Sequence, residues 1–95
     1  MQVMNIMEKM VWDNMDIVLD AKKGACHCEK CRADVAAYAL NRLKPKYVAT
    51  PKGETLAKAD YLDIQSHLKV IVALTEAVEI VAAYPRHEKE QKRNL

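Results

Sequence analysis

Ile64-Gln65-Ser66-His67-Leu68-Lys69-Val70-Ile71-Val72-Ala73-Leu74-Thr75-Glu76-Ala77-Val78-Glu79-Ile80-Val81-Ala82-Ala83-Tyr84 is the stretch on which the fold turns. Leu68, Ile71, Val72, Thr75, Val78 and Val81 recur at helical spacing and form one broad face. Val70, Leu74 and Ile80 widen that face beyond the needs of a helix lying on a protein surface. A helix apolar over most of its circumference must be buried on several sides. In a chain of 95 residues this points to other helices and to a second copy of the chain. Lys69, Glu76 and Glu79 interrupt the run and argue against a membrane span. Asp60 or Asp63 is placed to cap the start of the helix, and Tyr84-Pro85 to stop it.

Upstream, Gln2 to Leu19 also has a helical pattern, with Met4, Met7, Val11, Met15 and Val18 on one face and Asn5, Glu8, Lys9 and Asp16 between them. All five methionines fall within Met1–Met15. Met1 reads as the initiator, and the other four as core or dimer-seam residues in preference to a promiscuous Met-rich groove. Lys22-Lys23-Gly24 suits a helix stop. Glu29 to Leu43 reads as a second helix with an apolar stripe of Val35, Ala36, Ala39, Leu40 and Leu43. Its alanines admit close approach by another helix, and Lys44-Pro45 ends it. Lys46 to Gly53 is a connection, with Tyr47 and Val48 extended and Pro51-Lys52-Gly53 a turn signal. Glu54 to Ala59 is a candidate short helix. The expected fold is therefore all-α, about four helices in one homodimeric domain over residues 1–87, with a charged tail over 88–95.

Composition narrows the function classes. Apolar residues make up 51% of the chain, but aromatics only 5% and Phe is absent, so the core is aliphatic. Chains this small are often stabilised by a metal or by oligomerisation. The net charge of +2 is too weak to indicate nucleic-acid binding. With two glycines in all, no phosphate-binding Gly loop exists, and no nucleophile–base pair is visible. The expected protein is not an enzyme. No signal-peptide pattern is visible, and an odd count of three cysteines does not suit a secreted disulfide framework. The expected location is cytoplasmic, with reduced thiols.

Every cysteine lies in Cys26-His27-Cys28-Glu29-Lys30-Cys31. Such density favours a zinc site held by Cys26, Cys28 and Cys31, at the start of the second helix where free N–H groups stabilise thiolates. A redox Cys-x-x-Cys opens a helix after a strand in a βαβ unit, and no such strand precedes this one. A catalytic zinc is disfavoured by the lack of an HExxH-type base. A closed structural site needs a fourth ligand. His27 is squeezed between two ligands. Asp34, His67, His87 or a group from a partner subunit are the remaining candidates.

Cys26 to Cys31, then Arg32, Asp34, Ala37-Tyr38-Ala39-Leu40-Asn41-Arg42-Leu43 and Lys44-Pro45-Lys46-Tyr47-Val48, resemble the signature of the late competence development protein ComFB family. Met4-Asn5-Ile6-Met7-Glu8 and Tyr84-Pro85-Arg86-His87 are similar to it as well. The resemblance spans roughly Val3 to His87. It implies an all-helical homodimer with zinc on the cysteine cluster. Carried over, the ligands are Cys26, Cys28 and Cys31, one sulfur short of an all-thiolate site. It further implies a regulatory role in competence or motility, and for some members a receptor for cyclic dinucleotides such as cyclic di-GMP or cyclic di-AMP.

A ligand with two phosphates and two purines needs cations, stacking groups and amides at a groove. Arg32, Arg42, Lys44, Lys46 and Tyr47 are the candidates, because guanidinium matches phosphate in a bidentate way and stacks on bases. The plainer reading makes them solvated charges near a helix C-terminus, where the dipole already favours cations. Three functions follow as expectations. The first is a receptor module that passes its ligand state to a protein partner. The second is a structural or adaptor protein of competence or pilus machinery without a small ligand. The third, direct DNA binding, is disfavoured by the weak charge.

Overall fold

The computed structural model describes residues 2–60 and 64–84. The elements run β1 (Met4–Asn5), α1 (Ile6–Ala21), α2 (Glu29–Arg42), β2 (Tyr47–Val48), α3 (Pro51–Asp60) and α4 (Ile64–Ala83). The architecture is four helices with one short antiparallel strand pair, in which Met4 faces Val48 and Asn5 faces Tyr47. The charged tail at 88–95, Pro85, His87 and Asp63 lie outside the described residues, as does the side chain of Asp60.

Helix α4 packs on both α1 and α2, and α1 packs on α2. The core takes Met7, Val11, Met15, Val18 and Leu19 from α1, Val35, Ala36 and Ala39 from α2, and Val70, Ala73, Leu74, Ala77 and Val78 from α4. The alanines are informative. With Cβ as their whole side chain, Ala36, Ala39, Ala73 and Ala77 let helix backbones come close, while Val and Leu fill the space beside them. Fully burying each larger side chain contributes about 1.5–3 kcal/mol. Asn14 is the buried polar side chain among the described residues, and its Nδ2 donates to the Met10 carbonyl at 2.8 Å.

The inward face of α4 differs from the expected one. Leu68 and Val72 remain about half exposed and Thr75 is exposed, while Val70 and Leu74, taken as the margin of the stripe, are fully buried. Ile71 and Val81 are partly buried against the core, and Val78 is buried as expected. The face is set by Ala73 and Ala77, which carry little hydrophobic weight in a periodicity count but allow the closest approach. Ile64, Leu68, Val72 and Ile80 are left exposed on this helix.

Helix α1 begins at Ile6, not at Gln2. Asn5, expected inside the helix, is its N-cap in extended geometry. Its Oδ1 accepts from Met7 N at 3.1 Å and from Lys46 N at 2.9 Å. The Ile6 N–H donates to the Lys46 carbonyl at 2.7 Å. Met4, placed on the helical stripe by its spacing, is therefore a strand residue with an exposed side chain.

Pro51-Lys52-Gly53 is likewise the first turn of α3, not a separate turn. Thr50 Oγ1 accepts from Gly53 N at 3.0 Å, and Thr50 O from Glu54 N at 2.9 Å. Pro51 then stands at the first helical position, where its missing N–H costs nothing. The expected boundaries of α2 hold to within a residue, with Cys28 as N-cap and Leu43 as C-cap. The stop after α1 also holds, since Gly24 has φ +82°, a left-handed conformation glycine adopts freely.

Asn5→Ala removes one acceptor that serves two backbone donors. It is expected to cost about 1–2 kcal/mol in chemical denaturation. Asn5→Asp keeps the acceptor and is expected to stay close to the parent.

Candidate metal centre and basic groove

The turn after α1 delivers Cys26, and the N-terminus of α2 delivers Cys28 and Cys31. The three Sγ atoms lie within 4.8 Å of one another. A tetrahedral site with metal–sulfur bonds of about 2.3 Å sets its sulfurs about 3.8 Å apart. The observed spread is about 1 Å wider than that, close enough for the three thiols to be a candidate ligand set for one ion. Two backbone N–H groups are already aimed at sulfur, Cys28 N at Cys26 Sγ (3.5 Å) and Cys31 N at Cys28 Sγ (3.4 Å). At Cys28 that donor favours the thiolate form that a metal needs.

The thiols are not equivalent. The N–H of Cys31, acting as the capping donor, holds the Cys28 thiol below its ordinary range against a smaller opposing effect of burial. Cys31 is buried under the core, and burial pushes it up to about 12, with the neighbouring thiols adding to the shift. The cluster thus combines one thiol poised to ionise with one that a cation must deprotonate.

Among the described residues, these cysteines are the one group of three or more His, Cys, Asp or Glu side chains whose ligand atoms converge. Of the expected fourth ligands, Asp34 and His67 do not join it, and His87 lies outside the described residues. His27 faces α1, with Nδ1 3.7 Å from Asp20 Oδ1. A small cavity of about 40 Å³ touches Cys26 and Cys31 and is walled by Leu19, Val35, Val78 and Val81.

The opposite end of α2 borders a larger open groove of about 930 Å³. Arg42, Lys44 and Lys46 line it from α2 and the following loop, and Lys69, Leu68, Val72 and Glu76 from α4. Arg42 is held in place by Glu76 at 3.1 Å, and it stacks over the Tyr38 ring at 4.8 Å while donating to the Tyr38 hydroxyl. Tyr47 is exposed on β2 and is not a lining residue. Arg32 stands elsewhere, paired with Asp16 and over the Trp12 ring at 5.8 Å. Lys69 and Glu76 did not figure as site residues in the sequence. Their signal was present, as polar interruptions in the apolar helix.

A four-helix domain with a thiol cluster at a helix start is the class these features define. A family model, the late competence development protein ComFB, matches residues 4–85. The chain belongs to that family. It is 31% identical over 83 residues to the competence protein ComFB of Bacillus subtilis (strain 168), covering 87% of this chain and 85% of that protein. A solved structure of the late competence protein ComFB from Bacillus subtilis superposes with a TM-score of 0.76 at 31% identity, covering 88% of this chain and 94% of the other.

With Cys31 protonated at neutral pH before a metal arrives, binding must release its proton. Affinity for a thiophilic divalent ion is expected to rise at least about tenfold per pH unit between pH 6 and 8, one decade for each proton released. A chelator-competition titration at several pH values measures it.

Proposed function

We propose that the chain is a non-enzymatic, cytoplasmic regulatory module of the competence system. In this reading it is a zinc-stabilised helical homodimer that binds a cyclic dinucleotide and passes that state to a protein partner. The observation that carries the reading is the groove. It sets Arg42, Lys44, Lys46 and Lys69 around one open space, with a single carboxylate, Glu76, among the charged lining residues. Its volume falls within the range of small-molecule sites.

Zinc is the ion best matched to three clustered sulfurs, and it would act by tying the turn after α1 to the start of α2. The homodimer is supported by Ile64, Leu68, Val72 and Ile80, which leave one helix with a large exposed apolar area. Leu68 and Val72 also line the groove. A ligand there would meet the dimer seam and favour one arrangement of the two chains.

A second reading, an adaptor of competence or pilus machinery without a small ligand, is favoured by one contact. Arg42 is already engaged by Glu76 and Tyr38, so a phosphate must compete for it.

Two measurements test these readings. Isothermal titration with a panel of cyclic dinucleotides is expected to give saturable heat with at least one of them. Lys44→Ala with Lys46→Ala is expected to weaken that binding at least tenfold. An absence of heat at high micromolar ligand rejects the receptor and leaves the adaptor. Cys28→Ser is expected to lower Tm by roughly 10 °C or more, since each kcal/mol is worth about 4–8 °C in a domain of this size. A variant that melts like the parent rejects the structural zinc.

A further inference from the structure

Cys28 is the N-cap of α2 and Cys31 lies three residues on, in its first turn. Helix geometry places Cα atoms at that spacing about 5 Å apart, inside the span of roughly 4.4–6.8 Å that disulfide bonds bridge. The start of α2 thus sets the backbone spacing of a disulfide while both cysteines are still thiols. Cys26 comes from the turn before the helix and has no such fixed spacing to either of them.

Access differs along the pair. Cys28 is half-buried, whereas Cys31 is 2% exposed. A small oxidant arriving from solvent therefore meets Cys28 first. The Cys31 sulfur lies within 4.8 Å of the Cys28 sulfur, and the Cys31 N–H points at Cys28 Sγ from 3.4 Å. A second thiol held this close closes on its neighbour at an effective concentration far above that of a thiol in solution. An accessible cysteine beside a resolving one is the arrangement found in thiols that oxidise reversibly.

We infer that Cys28 is a modification site for hydroperoxides, that Cys31 resolves it, and that the disulfide they form excludes a metal ion from the cluster. The exclusion rests on the metal reading of the cluster; the disulfide does not. In the first step the Cys28 sulfur attacks the hydroperoxide. A sulfur–oxygen bond forms, the oxygen–oxygen bond breaks, and water or an alcohol leaves with the thiol proton. In the second step the Cys31 sulfur attacks Cys28. The sulfur–sulfur bond forms, the sulfur–oxygen bond breaks, and water leaves with the Cys31 proton. The two sulfurs together give up two electrons to the hydroperoxide. Metal ligation needs thiolates. Of the three clustered sulfurs, Cys26 alone then remains to bind an ion. The bridge consumes the protein's own thiols and is reopened by an external thiol, unlike the exchange-catalysing motif of a βαβ unit.

The test uses the full-length chain, reduced and stripped of metal, then treated with hydrogen peroxide, alkylated and digested with trypsin. Cleavage after Lys23, Lys30 and Arg32 leaves Cys26 and Cys28 in one peptide and Cys31 in another. The expected product is these two peptides joined by a bond that dithiothreitol reverses, with Cys26 alkylated and the same link formed in Cys26→Ser. A link between Cys26 and Cys28, a link that vanishes in Cys26→Ser, or sulfinic and sulfonic acids in place of a bridge overturn the assignment. The chain loaded with Zn²⁺ is then oxidised beside a chromogenic zinc indicator, and one ion is expected to leave for each bridge formed. A bridge that forms while the ion stays bound overturns the exclusion. A reduced chain that takes up no Zn²⁺ rejects the metal reading and the exclusion with it, while the peptide map still decides the bridge.

Discussion

The close approach of α4 to its neighbours is the constraint on which the rest depends. An apolar helix of this length needs partners on more than one side, and Ala36, Ala39, Ala73 and Ala77 are among its buried contact positions. The packing of α2 in turn locates both candidate sites. Its N-cap and first turn carry Cys28 and Cys31, and its last turn carries Arg42. One rigid element therefore holds the thiol cluster at one end and a groove cation at the other. A helix of 14 residues separates them by about 20 Å, at 1.5 Å per residue.

Local signals were legible in the sequence, and signals that need a distant partner were not. The limits of α2 could be read because its cap and the proline beyond it are neighbours in the chain. The convergence of Cys26, Cys28 and Cys31 could be read because their spacing leaves the thiols little room to separate. The start of α1 could not. Asn5 has the same composition whether it spaces a helix or caps one, and its second donor, Lys46 N, is 41 residues away. Pro51-Lys52-Gly53 serves equally as a turn or as a helix start, and the hydroxyl of Thr50 decides between them. The inward face of α4 was misjudged because hydrophobic weight ranks Leu68 and Val72 above Ala73 and Ala77, whereas packing distance ranks them the other way. The groove needed the same missing information, since Lys69 and Glu76 join Arg42 only once α4 lies beside α2.

Opposite effects on two adjacent thiols show how little distance separates different environments here. Cys28 sits at the mouth of the helix, where an N–H group favours its charged form. Cys31 is one turn further in, beneath the core, where burial is the largest of several effects that all favour the neutral thiol. The surface ion pairs, such as Lys9 with Glu54 and Lys22 with Glu79, are exposed by comparison and contribute about 0–1 kcal/mol each. Their role is orientation more than strength.

The strand pair and the cap at Asn5 stitch the loop bearing Lys46 to the amino-terminal side of the described residues. The lip of the groove is thus mechanically continuous with Val3 and Met4. A purification tag or fluorescent fusion placed ahead of Val3 pulls on the same backbone that positions the lip.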